Sequence, residues 1–304
     1  MLAMMMGAKW ALEPSFHQRM ASVVLHRLSL GKAPIEAVAD RATPRFVSLT
    51  GRDEKGKGDG WGPDKSAAVL GYEYLSKAGT KSGNVVVIPI MGTMSRYGDY
   101  CSWGCEDMAN WVLEANRDET VSAIVLELNS PGGEVDGVEM FGAAVKQSQK
   151  PVVAWVAGMA ASAAYWVASQ ADEIMLESET CSEVGSIGVL AMHVDQTLAL
   201  EKEGYKVTIV RADGSESKAL FNSFEPLSAD VLAETKAALN PIRAQFIKTV
   251  KAGRPAIADA ASDTSGVFSG KMYSGKQAIA NGMADRIGYL GDAIRRADLL
   301  ARKG

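Results

Sequence analysis

The chain has 304 residues, a net charge of −4 at pH 7, 47% hydrophobic residues and 22% charged ones. This is an ordinary globular composition with enough apolar side chains for a sizeable core. It excludes the basic footprint of a nucleic-acid-binding protein, and basic neighbours such as Arg295 and Arg296 read as a solvated helix face.

The first residues, MLAMMMGAKWALEPSF, are apolar only briefly before Lys9 and Glu13 interrupt them. Neither a signal peptide nor a membrane anchor is expected there. Helical spacing runs over about 14–30 and 33–41, a Gly-rich charged connector over 51–65, and a short helix over about 66–78. The expected organisation is a helical extension over 1–50, a connector with a short helix over 51–82, and one main domain over 83–304.

The main domain opens with a buried strand, VVVIPIMG at 85–92, followed by a helix over 105–117. VSAIVLELNS at 121–130 is a second buried strand, ended by Pro131-Gly132-Gly133. Val135, Val138, Phe141 and Val145 line one face of a helix over 134–149. The uncharged stretch from Pro151 to Ala171 approaches the length of a membrane span. Its first half is β-rich and its second half Ala/Ser-rich, so a buried strand over 151–157 and a buried helix over 159–171, separated at Gly158, fit it better. Short strands follow at 173–177 and 186–192, a helix at 195–203 and a strand at 206–212. A long helix over 228–251 and helical pieces over 275–282 and 291–302 complete the chain. Strands alternating with helices predict an α/β domain of parallel βαβ units with right-handed crossovers.

Several familiar catalytic signatures are missing: there is no G-x-S-x-G and no H-E-x-x-H. His17 and His26 fall in the N-terminal region, and His193 follows a predicted strand. Gly270 to Gln277 approximates a phosphate-binding loop, but Gln277 replaces the hydroxyl that would hold magnesium. Cys101, Cys105 and Cys181 are too few for a disulfide framework, and Cys101 and Cys105 lack the second ligand pair of a zinc site. They read as free thiols in a reducing compartment.

Three other features become informative together. Asn129-Ser130-Pro131-Gly132-Gly133 ends a buried strand, where glycines let backbone approach a ligand and leave amides free for an oxyanion; alone it is a tight turn. Ser162 lies in GMAASAAYW, at the predicted start of a helix, where four alanines leave steric room; alone it is packing. Lys218 lies in SESKALF, beside Ala219, Leu220 and Phe221; alone it is a surface residue. For its amine to act as a base near neutrality, an ordinary pKa of about 10.4 must fall by roughly 3, worth ~4 kcal/mol, and burial acts in that direction.

LNSPGG, GMAASAAYWVASQAD, GSIGV (185–189), SESKALFNSFEPLS and GKMYSGKQAIANGMADRIG occur in that order. Together they resemble the signal peptide peptidase A (protease IV) family of serine peptidases, over roughly residues 83–295. The resemblance implies a ClpP/crotonase-like α/β fold and a Ser–Lys dyad that needs no metal or organic cofactor. It makes Ser162 the nucleophile and Lys218 the general base. The Gly132 or Gly133 amide becomes an oxyanion donor, and Ser186 a partner of the lysine amine. Ala163-Ala164 stands where the family often has Gly-Gly, which alters the expected pocket but not the dyad.

The N-terminal part looks more like the phage and prophage branch, whose members process scaffold or capsid proteins. That likeness implies a protein substrate, a homo-oligomer in which a neighbouring subunit can complete the dyad, no membrane anchor, and a place in the bacterial host cytoplasm or the phage prohead. Two alternatives use the same fold. One is a crotonase-type acyl-CoA enzyme, which would not need the serine and lysine. The other is a non-catalytic assembly module, against which the joint presence of Ser162, Lys218 and Ser186 argues.

Overall fold

The apolar runs of the main domain become the centre of one sheet. In the computed structural model the described residues are 10–12, 44–48, 83–98, 102–259 and 266–303. The helices expected over 14–30, 33–41 and 66–78 and the connector over 51–65 lie outside them. Of the segment 1–50, the described pieces are two short strands, β1 (Trp10–Leu12) and β2 (Arg45–Ser48).

Three long parallel strands form the spine: β3 (Asn84–Met91), β4 (Val121–Ser130) and β6 (Val152–Ala161). β2 adds antiparallel to β3 at one edge. At the other edge, β7 (Glu173–Leu176) and then β10 (Arg286–Ile287) add in parallel, giving the order β10-β7-β6-β4-β3-β2. Continuous burial over Asn84–Ile90 of β3 and Ala123–Leu126 of β4 follows from cover on both faces. Val86, Ile88, Ile90, Ile124, Leu126 and Leu128 pack toward α1 (Cys105–Arg117) and α2 (Val138–Lys146). Val85, Val87, Val125 and Val153 meet Ala293, Ile294 and Ala297 of the C-terminal helix (Leu290–Ala301) on the opposite face.

Several boundaries differ from expectation for definite reasons. β6 does not stop before Gly158. Leu128 pairs Val156 while Ser130 pairs Ala160, so β6 carries two extra residues there and bends without ending. Its last residues, Met159–Ala161, leave β7 and pair in parallel with β8 (Glu183–Gly185), which pairs antiparallel with β9 (Met272–Ser274). The helix expected over 159–171 is therefore only α3 (Ala163–Ala168), buried all round. Trp166 of α3 stacks on Phe246 at 4.5 Å, and the Tyr165 hydroxyl donates to the Met283 carbonyl at 3.0 Å. No helix of the described residues is long and apolar enough to cross a membrane.

The strand expected over 186–192 lies earlier, at β8, because Gly185 (φ 132°) and Ser186 (φ 54°) turn the chain out of the sheet. Residues 206–212 have strand composition but form no strand; Val210 is 89% exposed, and β-branched residues form strand only against a partner edge. The helix expected from 134 starts at Val138 because Gly132–Glu134 forms a short strand, β5, and Gly137 (φ 83°) turns the chain into α2. α4 (Thr197–Lys202) and the long α5 (Ala229–Gly253) match their expected places.

Candidate active site

Ser162 stands at the corner where β6 ends and α3 begins. Its backbone is at φ 54° and ψ −116°, a conformation that costs a non-glycine residue of order 1–3 kcal/mol. The corner is held from both sides. The Ser162 N–H donates to the Gly185 carbonyl at 2.8 Å, and its carbonyl accepts from the Trp166 N–H at 2.9 Å. Ala160, Ala161, Ala163 and Ala164 are fully buried around it, and the serine itself is 1% exposed. Its Oγ has no hydrogen-bond partner among the described residues. A buried hydroxyl left unpaired on a strained corner is poor packing and a good nucleophile position.

The Gly132–Gly133 turn lies at the same level of the sheet. Ser130 pairs with Ala160, so Gly132 and Ser162 each stand two residues beyond paired positions on neighbouring strands. The two glycines answer different demands. Gly132 adopts φ 89°. Gly133 passes so close to Met94 that a Cβ would overlap the Met94 carbonyl oxygen and come within 2.6 Å of its carbon. Met94 N–H donates to the Gly132 carbonyl, and Glu134 N–H donates to the Met94 carbonyl, both at 2.9 Å. The Gly132 N–H donates to Ser130 Oγ at 3.2 Å, and that hydroxyl donates to the Gly92 carbonyl at 2.7 Å. The sequence reading missed Ala163, whose N–H opens α3 directly after the serine and has no intrahelical acceptor.

Ser186 is brought beside Ser162, because Ala161 pairs with Gly185 and each serine follows its paired residue. It too sits at φ 54°, and its N–H donates to the Lys271 carbonyl at 2.8 Å. Among the described residues, positive φ outside glycine occurs at Ser162, Ser186 and Ala219. These are two expected site serines and the residue after the expected lysine.

Lys218 is not joined to Ser162 within this chain. Its side chain is exposed. The turn that carries it is nevertheless fixed. Arg211 Nε donates to the Lys218 carbonyl at 2.6 Å, while the same guanidinium grips Glu225 through two hydrogen bonds. Asn222 donates to the Ala219 carbonyl and to Glu225, both at 2.7 Å. The Arg211 and Asn222 hydrogen bonds lower the Glu225 pKa from 4.5 to about 2. His193 serves this turn, not the serine: Nε2 contacts the Asn222 carbonyl and the ring meets Phe221 edge-on at 5.3 Å. Arg211 and Glu225 stand 14 positions apart with no periodic signal, so they were invisible in the sequence. No cluster of three or more His, Cys, Asp or Glu side chains suited to a metal ion occurs among the described residues.

Compared with models of known families, residues 144–303 match peptidase family S49. The chain belongs to peptidase family S49. Residues 106–179, from α1 through the serine corner to β7, also match the Clp protease family, and the fold is a ClpP-like α/β fold. Protease 4 of Haemophilus influenzae is 28% identical over 257 residues, covering 80% of this S49 chain and 40% of that protein. Capsid assembly protease C of Escherichia phage lambda is 31% identical over 228 residues, covering 72% of this chain and 50% of that protein. Among solved structures, a membrane-bound stomatin-specific protease aligns at 16% identity over 69% of this chain and 82% of that one, with a TM-score of 0.43. The chain thus spans half or less of the length of these two sequence relatives.

Proposed function

We propose that this S49 chain is a serine endopeptidase in which Ser162 is the nucleophile and Lys218 the general base. The observation that carries the proposal is the strained corner at Ser162, with its buried, unpaired Oγ beside the Gly132–Gly133 turn. In the reaction, a neutral Lys218 amine takes the Ser162 proton as Oγ attacks the peptide carbonyl. The carbonyl oxygen becomes an oxyanion facing amide N–H donors, for which Gly132, whose N–H rests on Ser130 Oγ at 3.2 Å, and Ala163 are the candidates, the Gly133 N–H being turned toward β1. Collapse breaks the C–N bond, and the lysine ammonium returns its proton to the leaving amine. Water, deprotonated by the same amine, then hydrolyses the acyl-serine ester. Ser186, beside the nucleophile, is the candidate partner for the lysine amine.

The dyad is completed between subunits of a homo-oligomer. Two features support this: the lysine turn is exposed, and Tyr205, Val207, Val210 and Phe224 of the same segment are exposed apolar residues that association would cover. The substrate is a protein of the scaffold or capsid class, processed in the host cytoplasm or the prohead; the likeness to a phage capsid assembly protease supports this choice.

Mixing tests the mechanism. Ser162→Ala and Lys218→Ala subunits are each inactive alone, and under demonstrated subunit exchange the mixture regains activity as intact Ser–Lys pairs re-form. Continued inactivity despite exchange would refute the shared dyad. Turnover by Ser162→Ala itself would refute the nucleophile. Mass spectrometry of candidate scaffold and capsid proteins after incubation reads substrate and cleavage site together.

A further inference from the structure

β5 is a strand of three residues with two edges. Met94 takes one edge, through the Gly132 carbonyl and the Glu134 N–H. Backbone groups alternate along a strand, so the Gly133 N–H and carbonyl face the other edge. There β1 pairs antiparallel, with Trp10 opposite Glu134, Ala11 opposite Gly133 and Leu12 opposite Gly132. Ala11 is therefore the residue whose N–H and carbonyl face those of Gly133. β1 runs from the Glu134 end toward the Gly132 end, which is the end level with Ser162. β1 therefore lies along the β5 edge whose Gly132 end is level with Ser162.

An open strand edge beside a nucleophile is a ready seat for an extended peptide, because main-chain hydrogen bonds bind any sequence that can lie flat. The two-stranded pair β1–β5 stands apart from the hydrogen bonding of the main sheet, so β1 can leave without breaking a main-sheet ladder. We infer that the chain's own Trp10–Leu12 fills the outer edge of β5 as an internal strand that competes with an extended peptide for it. An extended peptide must displace this strand before it pairs with that edge. The inference rests on the peptidase reading for its consequence, but the pairing and its displacement are measurable without catalysis.

The probe is a fluorescent synthetic peptide with the sequence of residues 6–16, MGAKWALEPSF. Its binding is measured by polarisation to the full chain carrying Ser162→Ala, with and without Ala11→Pro. Proline removes the N–H that faces Gly133. If the internal strand fills the seat nine-tenths of the time, freeing it tightens peptide binding about tenfold, because apparent affinity scales with the open fraction. Hydrogen–deuterium exchange across residues 131–138 should rise in the same variant, and with Ser162 intact Ala11→Pro should lower KM for an added peptide. A second variant, Trp10→Gly with Leu12→Gly, weakens the strand without proline and should act in the same direction. Equal peptide affinity with and without the substitutions, or unchanged exchange across 131–138, would overturn the inference. Tighter binding with no cleavage by the Ser162-intact variant would instead leave the inference standing and count against the peptidase reading.

Discussion

Gly133→Ala separates the structural demand on the glycine turn from simple flexibility. The added methyl would overlap the Met94 carbonyl oxygen and stand within 2.6 Å of the Met94 nitrogen and carbonyl carbon, all backbone atoms that no rotamer change can clear. The two 2.9 Å hydrogen bonds that tie Met94 to Gly132 and Glu134 must then lengthen or break. Two lost bonds, with buried groups left partly unpaired, cost about 2–5 kcal/mol, or roughly 5–15 °C in Tm for a domain of this size. Gly142→Ala is the control. It lies inside α2, and a Cβ there would meet Trp166 Cδ1 at 3.6 Å, an ordinary contact. Its helix-propensity gain of about 0.5–1 kcal/mol should raise Tm by a few degrees. Thermal and urea denaturation read both variants. Fluorophosphonate labelling of Ser162 reads the site, and in Gly133→Ala it should slow at least tenfold at temperatures where the chain is folded. A Gly133→Ala chain as stable as the parent and labelled at the same rate would refute the claim that the Met94 contact positions the turn.

Lys218→Arg should be as inactive as Lys218→Ala, since arginine keeps the charge but does not give up its proton; retained turnover would make the role of the lysine electrostatic. Arg211→Ala should lower kcat more than KM, because Arg211 holds the Lys218 carbonyl and Glu225 and so fixes the turn that carries the lysine; an unchanged kcat would remove it as a positioning residue. Glu225 supplies the pH test. Its folded pKa is depressed from 4.5 to about 2, so its contribution to the lysine turn is fully present above the ordinary carboxylate range and fades as pH falls toward about 2. Hydrogen exchange across residues 205–226, corrected for intrinsic rates, should rise over that acidic window in the parent but not in Glu225→Gln, whose grip on Arg211 carries no titrating charge.

The long buried strands and the helices at 105–117 and 228–251 were legible because their periodicity and apolar run length are local properties of the chain. Ser162, Lys218, Ser186 and the glycine turn could be picked out for a different reason: their motifs occur together and in order, although none is distinctive alone. Other features depend on what the chain meets in space. The bend of β6 beyond Gly158 requires β4 and β8 as neighbours, and it moves Ser162 from a first helical turn to a strained corner. Residues 206–212 have strand composition but no partner edge, so composition alone misled there. The Arg211–Glu225 grip on the lysine turn, the Met94 contact that requires Gly133, and the seating of Trp10–Leu12 on β5 join residues far apart in the chain. Side-chain and backbone hydrogen bonds at such separations leave no period in a sequence. Composition and motif order determined which residues to consider, and tertiary packing alone decided which of them are strained, buried or held apart.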